Sequence, residues 1–98
     1  MELTKTQIRQ LRSMCNTLSP TVSIGKAGVE AVVSATTENL ESHELVKCSV
    51  QDSAGLSARD AADALAELTG AQVVQVIGHK FSIYRKTSRK GVKSIELK

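Results

Sequence analysis

Apolar residues at Ile8, Leu11, Cys15 and Leu18 recur at the helical interval and predict a first helix, opened by Thr4 as N-cap and closed before Pro20. Lys5, Arg9 and Arg12 fall together beside that stripe at intervals that share a helix face. The period then changes. In "TVSIG", Val22 and Ile24 alternate with Thr21 and Ser23, which predicts a short strand. "VEAVVSATTENLES" returns to helical spacing, with Val29, Val32, Val33, Thr36 and Leu40 as its inward stripe. "ELVKCSV" alternates again, turning Val46, Cys48 and Val50 one way and Lys47 and Ser49 the other. Ser57 caps "ARDAADALAELTG" and Gly70 ends it, giving an Ala-rich third helix with Arg59, Asp60, Asp63 and Glu67 on its wet side. "AQVVQVIG" is the most apolar strand and on that ground the most interior one. A Gly78-His79 turn leads from it into "HKFSIYRK", a fourth strand antiparallel to the third.

The order αβαβαββ is that of an α/β domain. The outward strand positions are Thr21, Ser23, Lys47, Ser49, Lys80, Ser82 and Tyr84, all polar or amphipathic, while Val22, Ile24, Val46, Cys48, Val50, Phe81 and Ile83 share the other face. A sheet with helices on both sides needs apolar residues on both, and right-handed crossovers moving in one direction keep their helices on one side. The expected architecture is therefore a two-layer sandwich, a four-stranded sheet with helices covering one face and the other face wet and basic. Residues 1–86 make the domain; 87–98 are expected to be a basic, loosely ordered tail from which Ile95 and Leu97 can dock.

Composition narrows the function classes. A chain of 98 residues is one domain's worth. Phe81 and Tyr84 are its only aromatics, which argues against a binder that stacks base after base. Apolar runs such as "VVQVI" are too short to span a bilayer, and the polar start "MELTKTQIRQ" has the pattern of neither a signal nor a transit peptide, so a cytoplasmic protein without a membrane role is expected. Cys15 and Cys48, far apart and outside any CxxC, read as reduced core thiols, and no ligand cluster suggests a metal. The net charge of +3 conceals a segregation: residues 1–28 carry +3, residues 29–78 carry −6 and residues 79–98 carry +6. Such a pattern gathers positive charge at both ends and at one loop, with the acidic middle facing elsewhere, and points to a polyanion-binding face.

No catalytic constellation emerges. Cys15 and Cys48 sit on core stripes, His43 lies at a helix-to-strand junction among Glu38, Glu41 and Glu44, and His79 sits in a turn beside Lys80. No G-x-S-x-G elbow, H-E-x-x-H or P-loop is present. The segment Gly25-Lys26-Ala27-Gly28 is the one loop with a chemical signature. It joins a strand to a helix that lacks a Ser, Thr, Asp or Asn cap, so the early amides have no obvious side-chain acceptor. Open amides, a helix dipole and an adjacent lysine are the ingredients of an anion site. Glu30, in the first turn, is the competing acceptor. As a motif, GxxG reads equally as a plain turn; the basic residues of three other segments favour a backbone clamp of the kind used by KH domains.

"LTKTQIRQLRSMCNTLSPTVSIGKAGV", "ENLESHELVKCSV" and "LAELTGAQVVQVIGHKFSIYRK", in that order, resemble a stand-alone CRM domain (chloroplast RNA splicing and ribosome maturation) in its short bacterial form, from Leu3 to about Lys86. The resemblance implies an RNA-binding domain whose fold is similar to the C-terminal domain of translation initiation factor three. It implies strand order 1-2-4-3, with the fourth strand antiparallel to the rest. It further implies association with the precursor of the large ribosomal subunit and assistance in its assembly. Carried over by position, the GxxG loop is Gly25, Lys26, Ala27 and Gly28, and the basic surface includes Lys5, Arg9, Arg12, Lys47, Lys80, Arg85 and Lys86.

The sequence thus leads to the expectation of a monomeric, non-catalytic RNA-binding protein that needs no cofactor, metal or small-molecule substrate. Arg89, Lys90 and Lys93 join its cationic surface on the charge argument alone, and Tyr84 is its single candidate for stacking on a base. The alternative is a protein-protein interaction module that uses the acidic face of the second and third helices.

Overall fold

A computed structural model describes residues 3–92 and 94–97. Helix α1 spans Lys5–Cys15 and opens on a complete capping box, in which the Thr4 hydroxyl accepts from the Gln7 amide while the Gln7 side chain accepts from the Thr4 amide. Strand β1 (Val22–Ile24) runs into the GKAG loop. The following helix begins as a single 3₁₀ turn, Glu30–Val32, and continues as α2, Val33–His43. Strand β2 is Leu45–Val50, and Ser57 caps α3 (Ala58–Thr69) by accepting from the Asp60 amide. Strands β3 (Gln72–Ile77) and β4 (Lys80–Tyr84) form a hairpin over Gly78 and His79, with Gly78 at φ +58 as the first central residue of so short a loop requires.

The sheet order is β1-β2-β4-β3, with β1 parallel to β2 and β4 antiparallel to both its neighbours. Strand β3 is thus an edge strand, which corrects its expected interior place. Its apolar character has another cause: Val73 and Val76 pack into the cluster under α2 and α3, whereas Val74 is buried in a second cluster on the opposite face. Helices on both sides, not strands on both sides, make it hydrophobic.

That second cluster also revises the expected coverage of the sheet. Helices α2 and α3 cover one face over Ile24, Val46, Cys48, Phe81 and Ile83, as the strand alternation predicts. Helix α1 lies against the other face, where Leu11 and Cys15 join Leu45, Val74 and Tyr84. The Lys47 ammonium donates to the carbonyls of Cys15 and Leu18 at 3.1 and 3.3 Å, so this outward lysine terminates α1. Only the part of that face beyond α1 remains open.

The tail after β4 folds back over the same cluster, with Ile95 and Leu97 packed against it. Its anchors are two glutamates near the end of α2. Glu44 is fully buried at φ +65, a conformation usually left to glycine, and its carboxylate accepts from the amides of Thr87 and Ile95 and from the Ser94 hydroxyl. One turn earlier, Glu41 accepts from the Ser88 amide and hydroxyl, the Thr87 hydroxyl and the Arg85 guanidinium.

Candidate nucleic-acid interface

In the GKAG loop the Gly28 amide donates to the Gly25 carbonyl at 2.9 Å, closing a β-turn whose central residues, Lys26 and Ala27, are exposed. The two glycines are there for different reasons. Gly28 sits at φ +83, in the left-handed region, and at Gly25 a Cβ would stand 3.2 Å from the Gln51 side-chain oxygen. Among the described residues, the amides of Lys26 and Ala27 have no protein acceptor, and the Lys26 ammonium is unpaired. No side chain caps the 3₁₀ turn or α2, so the Glu30 carboxylate does not fill the place that the missing cap leaves. Open amides beside an unpartnered lysine form an anion-accepting turn.

The strand register locates this turn. Ile24 pairs with Val50, Ser49 with Lys80 and Lys80 with Ile77, so the GKAG loop, the residues after Val50 and the hairpin tip all lie at one end of the sheet. On the open face a row crosses the sheet from Ser23 through Ser49 and Lys80 to Ile77. At ~4.8 Å per strand, Lys80 stands about 10 Å across the sheet from β1, the strand that ends in the loop. Lys5, Arg9 and Arg12 line a shallow hollow on α1, and Arg12 Nε donates to the Val74 carbonyl on the β3 edge at 3.0 Å. With Asn16 beside Gln75 and Ile77, α1 carries its basic flank along β3 toward the open sheet end.

The remaining candidates divide. Arg85, Lys86, Arg89 and Lys90 follow β4 at the opposite end of the sheet, about 16 Å from Lys80 along a five-residue strand. Two of the four are engaged internally. Arg85 donates to the Thr69 carbonyl at 2.6 Å and pairs with Glu41 at 2.7 Å, and Arg89 makes a two-point pair with Glu38. The charge segregation therefore serves the fold as well as any partner: the acidic α2 receives the basic tail instead of facing away from it. Asp60, Asp63 and Glu67 of α3 stay exposed, Asp63 in an ion pair with Arg59. Lys86 and Lys90 are exposed and have no partner among the described residues, and Lys93 lies outside those residues.

Tyr84 is corrected outright. It is 4% exposed in the cluster beneath α1, where burial, and secondly the nearby Glu44 carboxylate, push its hydroxyl's pKa upward; it presents no ring to a base. Strand alternation alone places Tyr84 on the wet face, because it does not reveal that α1 covers that face. Glu41 and Glu44 enter the sequence only as neighbours of His43, yet they anchor the tail. Their signal was present as Glu38, Glu41 and Glu44 at intervals of three, one acidic stripe at a helix end without a glycine.

The catalytic candidates find no common site. Cys15 and Cys48 are buried, and burial pushes the Cys48 thiol up to about 12, which removes it as a nucleophile. His43 is exposed, and His79 lies in the hairpin turn with its carbonyl accepting from the Val50 amide. Among the described residues no cluster of metal-ligating side chains occurs, and no helix is long and apolar enough to cross a membrane.

Fold and site together define a small α/β module whose one sheet end carries the GKAG loop and Lys80. The chain belongs to the CRS1/YhbY (CRM) domain family, which it matches over residues 3–85. It is 36% identical over 96 residues to Probable RNA-binding protein YqeI of Bacillus subtilis, spanning 97% of this chain and 98% of that protein. It is 34% identical over 86 residues to Probable RNA-binding protein MJ0652 of Methanocaldococcus jannaschii, spanning 86% of this chain and 64% of that one. The solution structure of hypothetical protein SAV1595 from Staphylococcus aureus is similar with a TM-score of 0.76 at 34% identity, over 99% of this chain and 100% of the other.

Proposed function

We propose that this protein binds RNA through the phosphate backbone, that the RNA belongs to the precursor of the large ribosomal subunit, and that the protein assists assembly of that particle as a monomer. The observation that carries the reading is the GKAG turn, with two amides and a lysine unpartnered at the same sheet end as Lys80. Membership of the CRM family and the names of the relatives support RNA as the ligand; the ribosomal assignment extends what the family resemblance implies. In this reading Gly25 and Gly28 shape the turn, the amides of Lys26 and Ala27 and the Lys26 ammonium meet phosphate oxygens, and Lys80 continues the contact across the sheet. Lys5, Arg9, Arg12, Lys86 and Lys90 add longer-range attraction. Lys47, Arg85 and Arg89 act by holding α1 and the tail in place.

The test is the sedimentation of the protein with ribosomal particles from cell lysate, wild type against the double variant Lys26→Asp, Ala27→Asp. The variant is expected to leave the fractions that contain large-subunit precursors. A variant that stays in those fractions contradicts the loop as the contact.

A further inference from the structure

Where α1 ends, the open sheet face holds a small pocket of about 100 Å³ lined by Asn16, Lys47, Gln75, Ile77, Lys80 and Ser82. Its floor carries the Ser82 hydroxyl. Ser82 is only 1% exposed, yet its hydroxyl has no hydrogen-bond partner among the described residues. The side-chain amides of Asn16 and Gln75 are also unpartnered. Ile77 is 63% exposed, the most open of the large apolar side chains described, and no carboxylate lines the site. The Ser82 hydroxyl therefore opens on the pocket as a free donor and acceptor, and Ile77 beside it offers an apolar wall. Polar groups able to donate and accept thus meet an apolar wall in one concavity flanked by two lysines.

We infer that this pocket receives the edge of one unpaired nucleobase of the RNA strand whose backbone passes the GKAG loop. The inference rests on the RNA-binding reading. The row Ser23, Ser49, Lys80, Ile77 joins the pocket to the loop, so one strand meets both. A phosphate takes only donors and gains nothing from Ile77. A base edge takes donors and acceptors together, which two side-chain amides and a hydroxyl supply, and its face packs on an apolar wall. The base must be unpaired, because an A-form duplex keeps its sequence-bearing edges in a groove too deep and narrow for side chains. With Tyr84 buried, Ile77 takes the place an aromatic residue holds in other single-strand binders.

The experiment measures affinity of the full chain for two fluorescein-labelled single strands of equal length by anisotropy. One is a mixed-sequence RNA, and the other has the same ribose-phosphate backbone without bases. Wild type is expected to bind the base-bearing strand about fivefold more tightly, the equivalent of about one net hydrogen bond. The double variant Gln75→Ala, Ile77→Ser should abolish that preference while its salt dependence and circular dichroism match wild type. Equal binding of the two strands by wild type overturns the base pocket while leaving backbone binding intact. A variant that loses affinity for both strands alike, with a shallower salt dependence, overturns it in favour of a phosphate. Binding of neither strand removes the RNA-binding reading and this one with it.

Discussion

The Glu44 carboxylate accepts from the Ile95 amide at 2.6 Å, although 51 positions separate them in the chain. This contact and its neighbours from Thr87 and Ser94 turn the C-terminal segment from a tail into part of the fold. Removing the carboxylate strands two backbone donors near the core, those of Thr87 and Ile95. A buried donor left without a partner costs ~1–3 kcal/mol. Glu44→Ala is therefore expected to lower unfolding free energy by about 3 kcal/mol in urea titration, and to expose residues 87–97 to proteolysis in the folded protein. Glu44→Gln, which keeps one acceptor oxygen, should lose less.

Glu41 gives the tail a pH dependence. Foremost the Ser88 amide, then the Ser88 and Thr87 hydroxyls, with Arg85 adding to them, lower its carboxyl from 4.5 to about 2. Arg89 shifts Glu38 in the same direction. A carboxyl lowered by folding stabilises the folded state at every pH above its unfolded value and loses that contribution as pH falls through the folded one. Tail contacts are thus expected to be intact above about pH 4.5 and to loosen progressively toward pH 2. Hydrogen exchange at the Ser88 amide reads this directly, and Glu41→Gln should flatten the profile.

The period changes along the chain made the helices and strands legible, and Thr4, Ser57 and Gly70 marked element ends because capping is local chemistry. The position of α1 was not legible in the same way. Alternation in β2 and β4 reports which side chains are apolar, and Lys47, Ser82 and Tyr84 are polar enough to pass for a wet face. In the fold, Lys47 reaches the end of α1, and Ser82 and Tyr84 are buried. The docking of Ile95 and Leu97 was legible as apolar positions in a polar segment, but the tail's polar anchors were not: their partners on α2 are some fifty residues away, and no local period records such a pairing. Of the site, the loop and the cations of α1 and β4 could be read from sequence, but the internal use of Arg85 and Arg89 could not.

The GKAG glycines separate stability from binding. Gly28→Ala forces a side chain into the left-handed region and is expected to cost ~1 kcal/mol of stability. At Gly25 the added methyl meets only the end of the Gln51 side chain, which can move, so Gly25→Ala should cost less. Lys26→Ala touches no partner and should leave the urea midpoint unchanged while weakening RNA binding. A loop that served only as a turn would show the glycine effects without the lysine effect.

Whether RNA phosphates are held at the sheet end formed by GKAG and Lys80 is read from the salt dependence of affinity for a large-subunit ribosomal RNA fragment. Each phosphate contact on a single strand contributes ~0.7 to the log–log slope. Lys26→Ala with Lys80→Ala is expected to make the slope shallower by about 1.4, whereas Arg89→Ala, which removes a cation already paired with Glu38, leaves it unchanged. An unchanged slope in the double variant would contradict the account.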